Sequence, residues 1–285
     1  MLHGGGSAGN AWEIGVIAGL ADGGLVATDA DLIVGTSAGA TAAAQVTAAD
    51  PAGLLADILS ADAPQRARPQ APGANGARPR VNHLERTNRI IAASTDAADM
   101  RRNIGAAALE LDASSDGSWS ARWREITARR LPSQQWPEQT LLITAVDART
   151  GEPAVFERNS GVELVDAVAA STSSGDPYRI GDDRYIDGGY RRNENADLAI
   201  GYERVLVLSP FGGRTRHPLE WRMQLAAQVE ELRAAGSTVE TILPDAPSLE
   251  AFGDDMMDLS HRPASARAGY EQGKADALRL ADFWR

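Results

Sequence analysis

The chain contains no cysteine. Disulfides, thiolate metal sites and cysteine nucleophiles are therefore excluded, and chemistry must come from serine, carboxylates, histidine or the backbone. Basic residues are also in deficit, 28 Lys and Arg against 39 Asp and Glu, for a net charge of -11. That balance disfavours a polyanionic partner such as nucleic acid. No stretch approaches the roughly 18 consecutive apolar residues of a membrane-spanning helix, and Met1 is followed almost at once by glycines, with no basic and apolar leader. A soluble, cytoplasmic protein is the expectation. No internal repeat is visible. With 285 residues, 43% of them apolar, one large α/β domain over residues 1–285 is preferred to two small ones.

The most informative stretch is Gly35-Thr36-Ser37-Ala38-Gly39, where the apolar run Leu32-Ile33-Val34 meets an alanine-rich segment, Ala38 to Ala49. A G-x-S-x-G at a strand-to-helix junction is the pattern of a nucleophile elbow, whose glycines leave room for a sharp turn that lifts the serine hydroxyl clear of the sheet. The following helix aims its unpaired N–H groups and dipole at the same place, where negative charge builds during acyl transfer. Ser37 is a candidate nucleophile on this reading. Thr36 and Ser37 are equally suited to capping the helix, and the pentapeptide alone leaves the two readings level.

A second glycine cluster opens the chain, His3-Gly4-Gly5-Gly6-Ser7-Ala8-Gly9, ahead of an amphipathic pattern from Ala11 to Leu20. Gly4, Gly6 and Gly9 satisfy G-x-G-x-x-G, so dinucleotide binding is one reading. The acid that motif needs belongs after the second strand, whereas Asp29 and Asp31 precede the strand Leu32 to Val34. The alternative is that the Gly4, Gly5 and Gly6 amides form an oxyanion hole. Further on, Ala52 to Ser60 reads as a helix, and 64–80 is too rich in proline and glycine for regular structure, so a flexible loop or flap is expected. Its arginines, with Arg86, Arg89, Arg101 and Arg102, make a basic stretch; a solvated surface is favoured over weak, transient contact with an anionic membrane surface.

Helical patterns cover Leu84 to Ala93, Asp99 to Leu111, Trp119 to Leu131, Val162 to Ala170, Leu219 to Ala235 and Ala264 to Trp284. Strands are expected at Thr140 to Val146, Ala154 to Phe156, Tyr185-Ile186, Arg204 to Leu208 and Thr238 to Leu243. Trp119 and Trp123 stand four apart and share a face, which suggests core. The strand Tyr185-Ile186 runs into Asp187-Gly188-Gly189, whose plainest reading is an Asp-Gly turn.

Gly4 to Gly9 with its helix, Gly35 to Gly39, and Asp187 to Gly189, in that order, together resemble the patatin-like phospholipase family. Leu141 to Asp147, Val165 to Ser171 and Pro244-Asp245 are similar to it as well, so the likeness spans nearly the whole chain. The resemblance implies a three-layer α/β/α sandwich with a mostly parallel central sheet and hydrolysis of acyl esters in lipids, with no metal or cofactor. It implies Ser37 as nucleophile, Asp187 as its base in a Ser-Asp dyad, and the Gly4 to Gly6 backbone as oxyanion hole. Ala8 stands where such enzymes usually carry Arg or Lys, and Ser173 to Tyr178 departs from the usual loop. A catalytically silent binding protein is the alternative. A dyad needs no histidine, whereas a triad would recruit one of His3, His83, His217 and His261. An ordinary aspartate would keep such an enzyme active well below neutrality unless burial raises its pKa.

Overall fold

A computed structural model of the protein describes residues 1–61 and 83–284; the expected loop at 64–80 lies outside the described residues. In chain order the elements are α1 (Gly6–Asp22), β1 (Leu32–Gly35), α2 (Ala38–Val46), α3 (Pro51–Ser60), α4 (His83–Ala93), α5 (Ala97–Ala113), α6 (Ser118–Arg130), β2 (Thr140–Asp147), β3 (Pro153–Phe156) and α7 (Leu164–Ser171). They continue with β4 (Tyr178–Ile180), β5 (Asp183–Asp187), β6 (Arg204–Leu208), α8 (Leu225–Ala234), β7 (Thr238–Ile242), α9 (Ala246–Phe252) and α10 (Arg262–Trp284). Helix starts follow local chemistry. Asp50, Asp96 and Asp245 each accept a hydrogen bond from an amide three residues on, at Gly53, Asp99 and Ser248, as N-cap residues do.

The sheet is mixed and not mostly parallel as expected. β1 pairs with β2, and β6 with β7, in parallel; β2 pairs with β3, β2 with β5, and β4 with β5 antiparallel. The reason is connection length. β2 reaches β3 through a turn closed by Asp147 and Glu152, and β4 reaches β5 through two residues, both too short for the crossover that a parallel pair requires. Leu2 joins the two parallel pairs, bridging to Gly35 on one side and Leu208 on the other.

Apolar residues leave the strands on both faces. Ile33, Leu141, Ile143, Ala145, Leu206 and Leu208 join a core with α1, α2, α7 and α10. Val146 and Ile186 pack with Ile91, Met100 and Ile104 of α4 and α5, and Val205, Val207 and Val239 with Leu225, Val229 and Leu232 of α8. Trp119 and Trp123 stack at 5.9 Å and pack, partly buried, against the first cluster. No helix among the described residues is long and apolar enough to cross a membrane.

α1 is not the amphipathic helix its pattern suggested, since every residue from Ala8 to Leu20 is buried. α10 covers the face that would otherwise meet water. The two helices touch through glycines: a methyl group on Gly15 would stand 2.1 Å from Ala266 O, one on Gly19 2.1 Å from Tyr270 O, one on Gly269 2.4 Å from Trp12 O, and one on Gly273 2.2 Å from Val16 O. Any side chain there forces the backbones apart. Gly19→Val should therefore cost about 1–3 kcal/mol, the scale of overpacking a close contact, and lower the thermal midpoint by several degrees in a circular-dichroism melt. An unchanged midpoint would contradict this packing.

Candidate active site

β1 ends and α2 begins within two residues, so the chain reverses at Ser37 with φ 54° and ψ -123°. Non-glycine residues occupy that region at a cost of order 1–3 kcal/mol and only where surroundings impose it. Here the surroundings are tight. A methyl on Gly35 would come within 2.6 Å of Ala40 Cα, and one on Gly39 within 2.3 Å of Leu2 O, so both flanking glycines are required by close approach. Ser37 occupies the N-cap position of α2, yet its side chain makes no capping bond. Instead Ser37 Oγ donates to Asp187 Oδ2 at 2.7 Å.

Asp187 closes β5 and is 8% exposed. Its two oxygens divide the work. Oδ1 accepts from the Gly189 amide at 2.8 Å, making the Asp-Gly turn, while Oδ2 receives the serine hydroxyl. Gly188 is pressed against β2: a methyl there would meet Thr144 O at 2.3 Å. Burial pushes the Asp187 carboxyl up from 3.8 to about 6, opposed by the Gly189 amide, the Ser37 hydroxyl and the Arg216 charge. Of the two cases the sequence left open, burial favours the raised one.

The first of the opening glycines faces Ser37. A methyl on Gly4 would stand 3.0 Å from Ser37 Cβ and 3.4 Å from its Oγ, and one on Gly5 would meet Pro210 Cβ at 2.6 Å and Gly9 Cα at 2.9 Å. Gly6 has φ +60° and lies under Met256 and Met257. Among the described residues, the amides of Gly4, Gly5, Gly6 and Ala38 have no hydrogen-bond acceptor. Ala8 is fully buried and donates its amide to Met256 O at 2.9 Å. Arg262 of α10 donates to Ser7 O at 3.1 Å and Asn10 Oδ1 at 2.9 Å, which sets a guanidinium beside the glycine loop.

None of the four histidines is hydrogen-bonded to Ser37 or Asp187 among the described residues. His3 is buried with its ring edge-on to Phe211 at 5.8 Å, and burial lowers its pKa to about 3. His83 lies 3.3 Å from the Tyr190 hydroxyl. His217 bonds Thr215 and Asn193, with its pKa lowered to about 4 by burial and then by Arg216. His261 packs beside Gly253. Among the described residues no group of three or more His, Asp or Glu could hold a metal ion.

Two contributors escaped the reading of the sequence. Ser171, at the end of α7, accepts the Ser37 amide at 2.9 Å, and the Ser173 carbonyl accepts the Asp187 amide at 2.9 Å. The small-residue run after α7 was their only trace.

A raised pKa in the folded state means that the native protein holds its Asp187 proton where the unfolded chain has lost it. Stability is then lost as pH rises between about 4 and about 6, and the full cost of about 3 kcal/mol stands above that window. Asp187→Asn should recover much of it at pH 7.5 and little at pH 4.5. Thermal midpoints at the two pH values check this; an equal gain at both would refute the desolvation.

No curated protein matches the chain. A family model does, over residues 1–200, described as Patatin-like phospholipase. The matched span holds the glycine loop, Ser37 and Asp187 and excludes β6 through α10, which supply Pro210, Met256 and Arg262. By that match the chain belongs to the patatin-like phospholipase family.

Proposed function

We propose that the protein is a serine acyl hydrolase that cleaves carboxylic ester bonds of lipids through a Ser37–Asp187 dyad and an acyl-enzyme. The observation that carries this reading is the 2.7 Å bond from Ser37 Oγ to Asp187 Oδ2, made at a strained elbow below a helix N-terminus. Family membership supports lipid esters as the substrate class. The three-layer arrangement of that family agrees with apolar clusters on both faces of the sheet.

The chemistry runs in two halves. Asp187 takes the hydroxyl proton as Ser37 Oγ attacks the ester carbonyl. Charge gathers on the former carbonyl oxygen, facing the free amides of Gly4 to Gly6, with Ala38 N–H on the other side. Collapse expels the alcohol, which leaves with the proton from Asp187, and acyl-Ser37 remains. A water then gives its proton to Asp187, its oxygen attacks the acyl carbon, and Ser37 regains the proton as the fatty acid departs. Both halves need Asp187 ionised at the start. A carboxyl titrating near 6 is a stronger base than an ordinary aspartate and is still ionised at neutral pH.

Labelling by a fluorophosphonate probe should be complete in the wild type and absent in Ser37→Ala. A wild type that does not label would favour a silent binding protein. With a soluble ester, kcat/KM should be level above neutrality, reach half its plateau near pH 6 and fall about tenfold per pH unit below. Retention of the plateau at pH 4.5 would remove Asp187 as base. Gly5→Val should lower turnover on the order of a hundredfold, as loss of one oxyanion donor does. His83→Ala and His217→Ala should keep kcat within about tenfold; loss equal to that of Ser37→Ala in a folded variant would indicate a triad.

A further inference from the structure

β2 has two edges, and its pairings assign them. Ile143 pairs with both Gly35 and Phe156, and Ala145 with both Asp187 and Ala154. β3 therefore fills one edge, and β1 and β5 share the other, end to end and in opposite directions. The β1 ladder stops at Ile143 and the β5 ladder starts at Ala145, which leaves Thr144 as the gap between them. Thr36 and Gly188 leave the sheet at this gap, one residue before the nucleophile and one after the base.

A single side chain fills it. Asn195 Nδ2 donates to Thr36 Oγ1 at 2.9 Å, Thr144 Oγ1 at 3.2 Å and Gly188 O at 3.1 Å, and the two threonine hydroxyls bond each other at 3.0 Å. Asn195, Thr36 and Thr144 are all fully buried. The amide cannot turn over without facing oxygen with oxygen, and its own oxygen is held by Arg191 Nη1 at 2.8 Å. Arg191 is fixed in turn by Asp197 at 2.7 Å. Asn195 has φ 54°, a left-handed conformation that asparagine tolerates better than most residues. The segment following the base thus curls back so that one amide reaches both strands.

We propose that Asn195 is a positioning residue that sets the separation of Ser37 from Asp187 by tying Thr36 to Gly188 across Thr144. The proposal rests on the dyad reading. Asn195 touches neither catalytic side chain. Its effect comes through backbone geometry: besides the dyad's own bond, this tie is what links the ends of β1 and β5 at the gap among the described residues. A displacement of about 1 Å between reacting groups costs on the order of a hundredfold in rate.

Asn195→Gly removes the amide and keeps the left-handed backbone unstrained, and Thr144→Val removes one of the three acceptors should that variant not fold. With p-nitrophenyl butyrate, each should lower kcat on the order of a hundredfold and leave KM within about threefold. Thr144→Ser, which keeps the hydroxyl, should restore most of the rate. In an Asp187→Asn background the same Asn195→Gly change should cost less than about threefold, because no base remains to be positioned. A merely structural role would cost the same in both backgrounds, and that outcome overturns the proposal. So does near-normal kcat in folded Asn195→Gly when Ser37→Ala and Asp187→Asn each retain only a small residual rate. Wild-type turnover in Ser37→Ala or Asp187→Asn would instead sink the dyad itself, and the positioning role with it.

Discussion

One edge of one strand decides where everything else must go. Because β1 and β5 meet head to head along β2, two side chains 150 positions apart come within 2.7 Å without either strand bending. The meeting leaves no room for side chains beside it. Gly35, Gly39 and Gly188 are each within 2.6 Å of backbone once a methyl is imagined, so the motif glycines are the atoms that had to be absent. The same crowding excludes water from Asp187 and explains its raised pKa. The basicity that the proposed dyad needs and its thermodynamic cost have one origin.

The glycine loop depends on a second buried acid. Glu13 of α1 is fully buried, and its Oε1 accepts the His3 amide at 2.8 Å, the residue before Gly4. Burial raises its pKa well above 4.5, against the pull of the His3 amide bond. The loop is thereby pinned at its root by a buried carboxyl. Pro210 and Met256 close over the loop from the other side. The glycine loop is therefore braced by a helix at one end of the chain and by turns near the other.

What the sequence revealed and what it hid divide along physical lines. The strand, elbow and helix around Ser37 were legible because a short apolar run, two glycines and a run of strong helix formers each carry their own local signal. Hairpin direction did not register: nothing in Tyr185-Ile186 says which edge of β2 it will join. β4, three residues long, is too short for periodicity to register. The helix expected over Leu219 to Ala235 is broken by Arg222, which has φ 53°, and α8 begins only at Leu225; the apolar pattern runs unbroken through a backbone that does not. The α1–α10 contact hid for another reason, since Gly15, Gly19, Gly269 and Gly273 read singly as weak helix positions and acquire meaning only when the two helices face each other. Asn195, one polar residue in a loop, carries no local signal of its partners in three other segments.

On the proposed dyad, the absence of a histidine follows from the same geometry. An imidazole needs a third group to hold its far nitrogen, and so a cavity for two side chains beside the nucleophile. The junction of β1 and β5 admits one carboxylate, held directly by the Gly189 amide of its own turn. A turn amide orients the base without a further residue, so strand end, turn and base form one unit of three residues, Asp187 to Gly189. Such a base begins with a pKa too low for work at neutral pH, and in the proposed mechanism desolvation supplies the increase that an imidazole would have brought by its own chemistry. Compactness and basicity are thus coupled: opening the junction enough to admit a histidine would rehydrate Asp187 and return it toward the ordinary aspartate range.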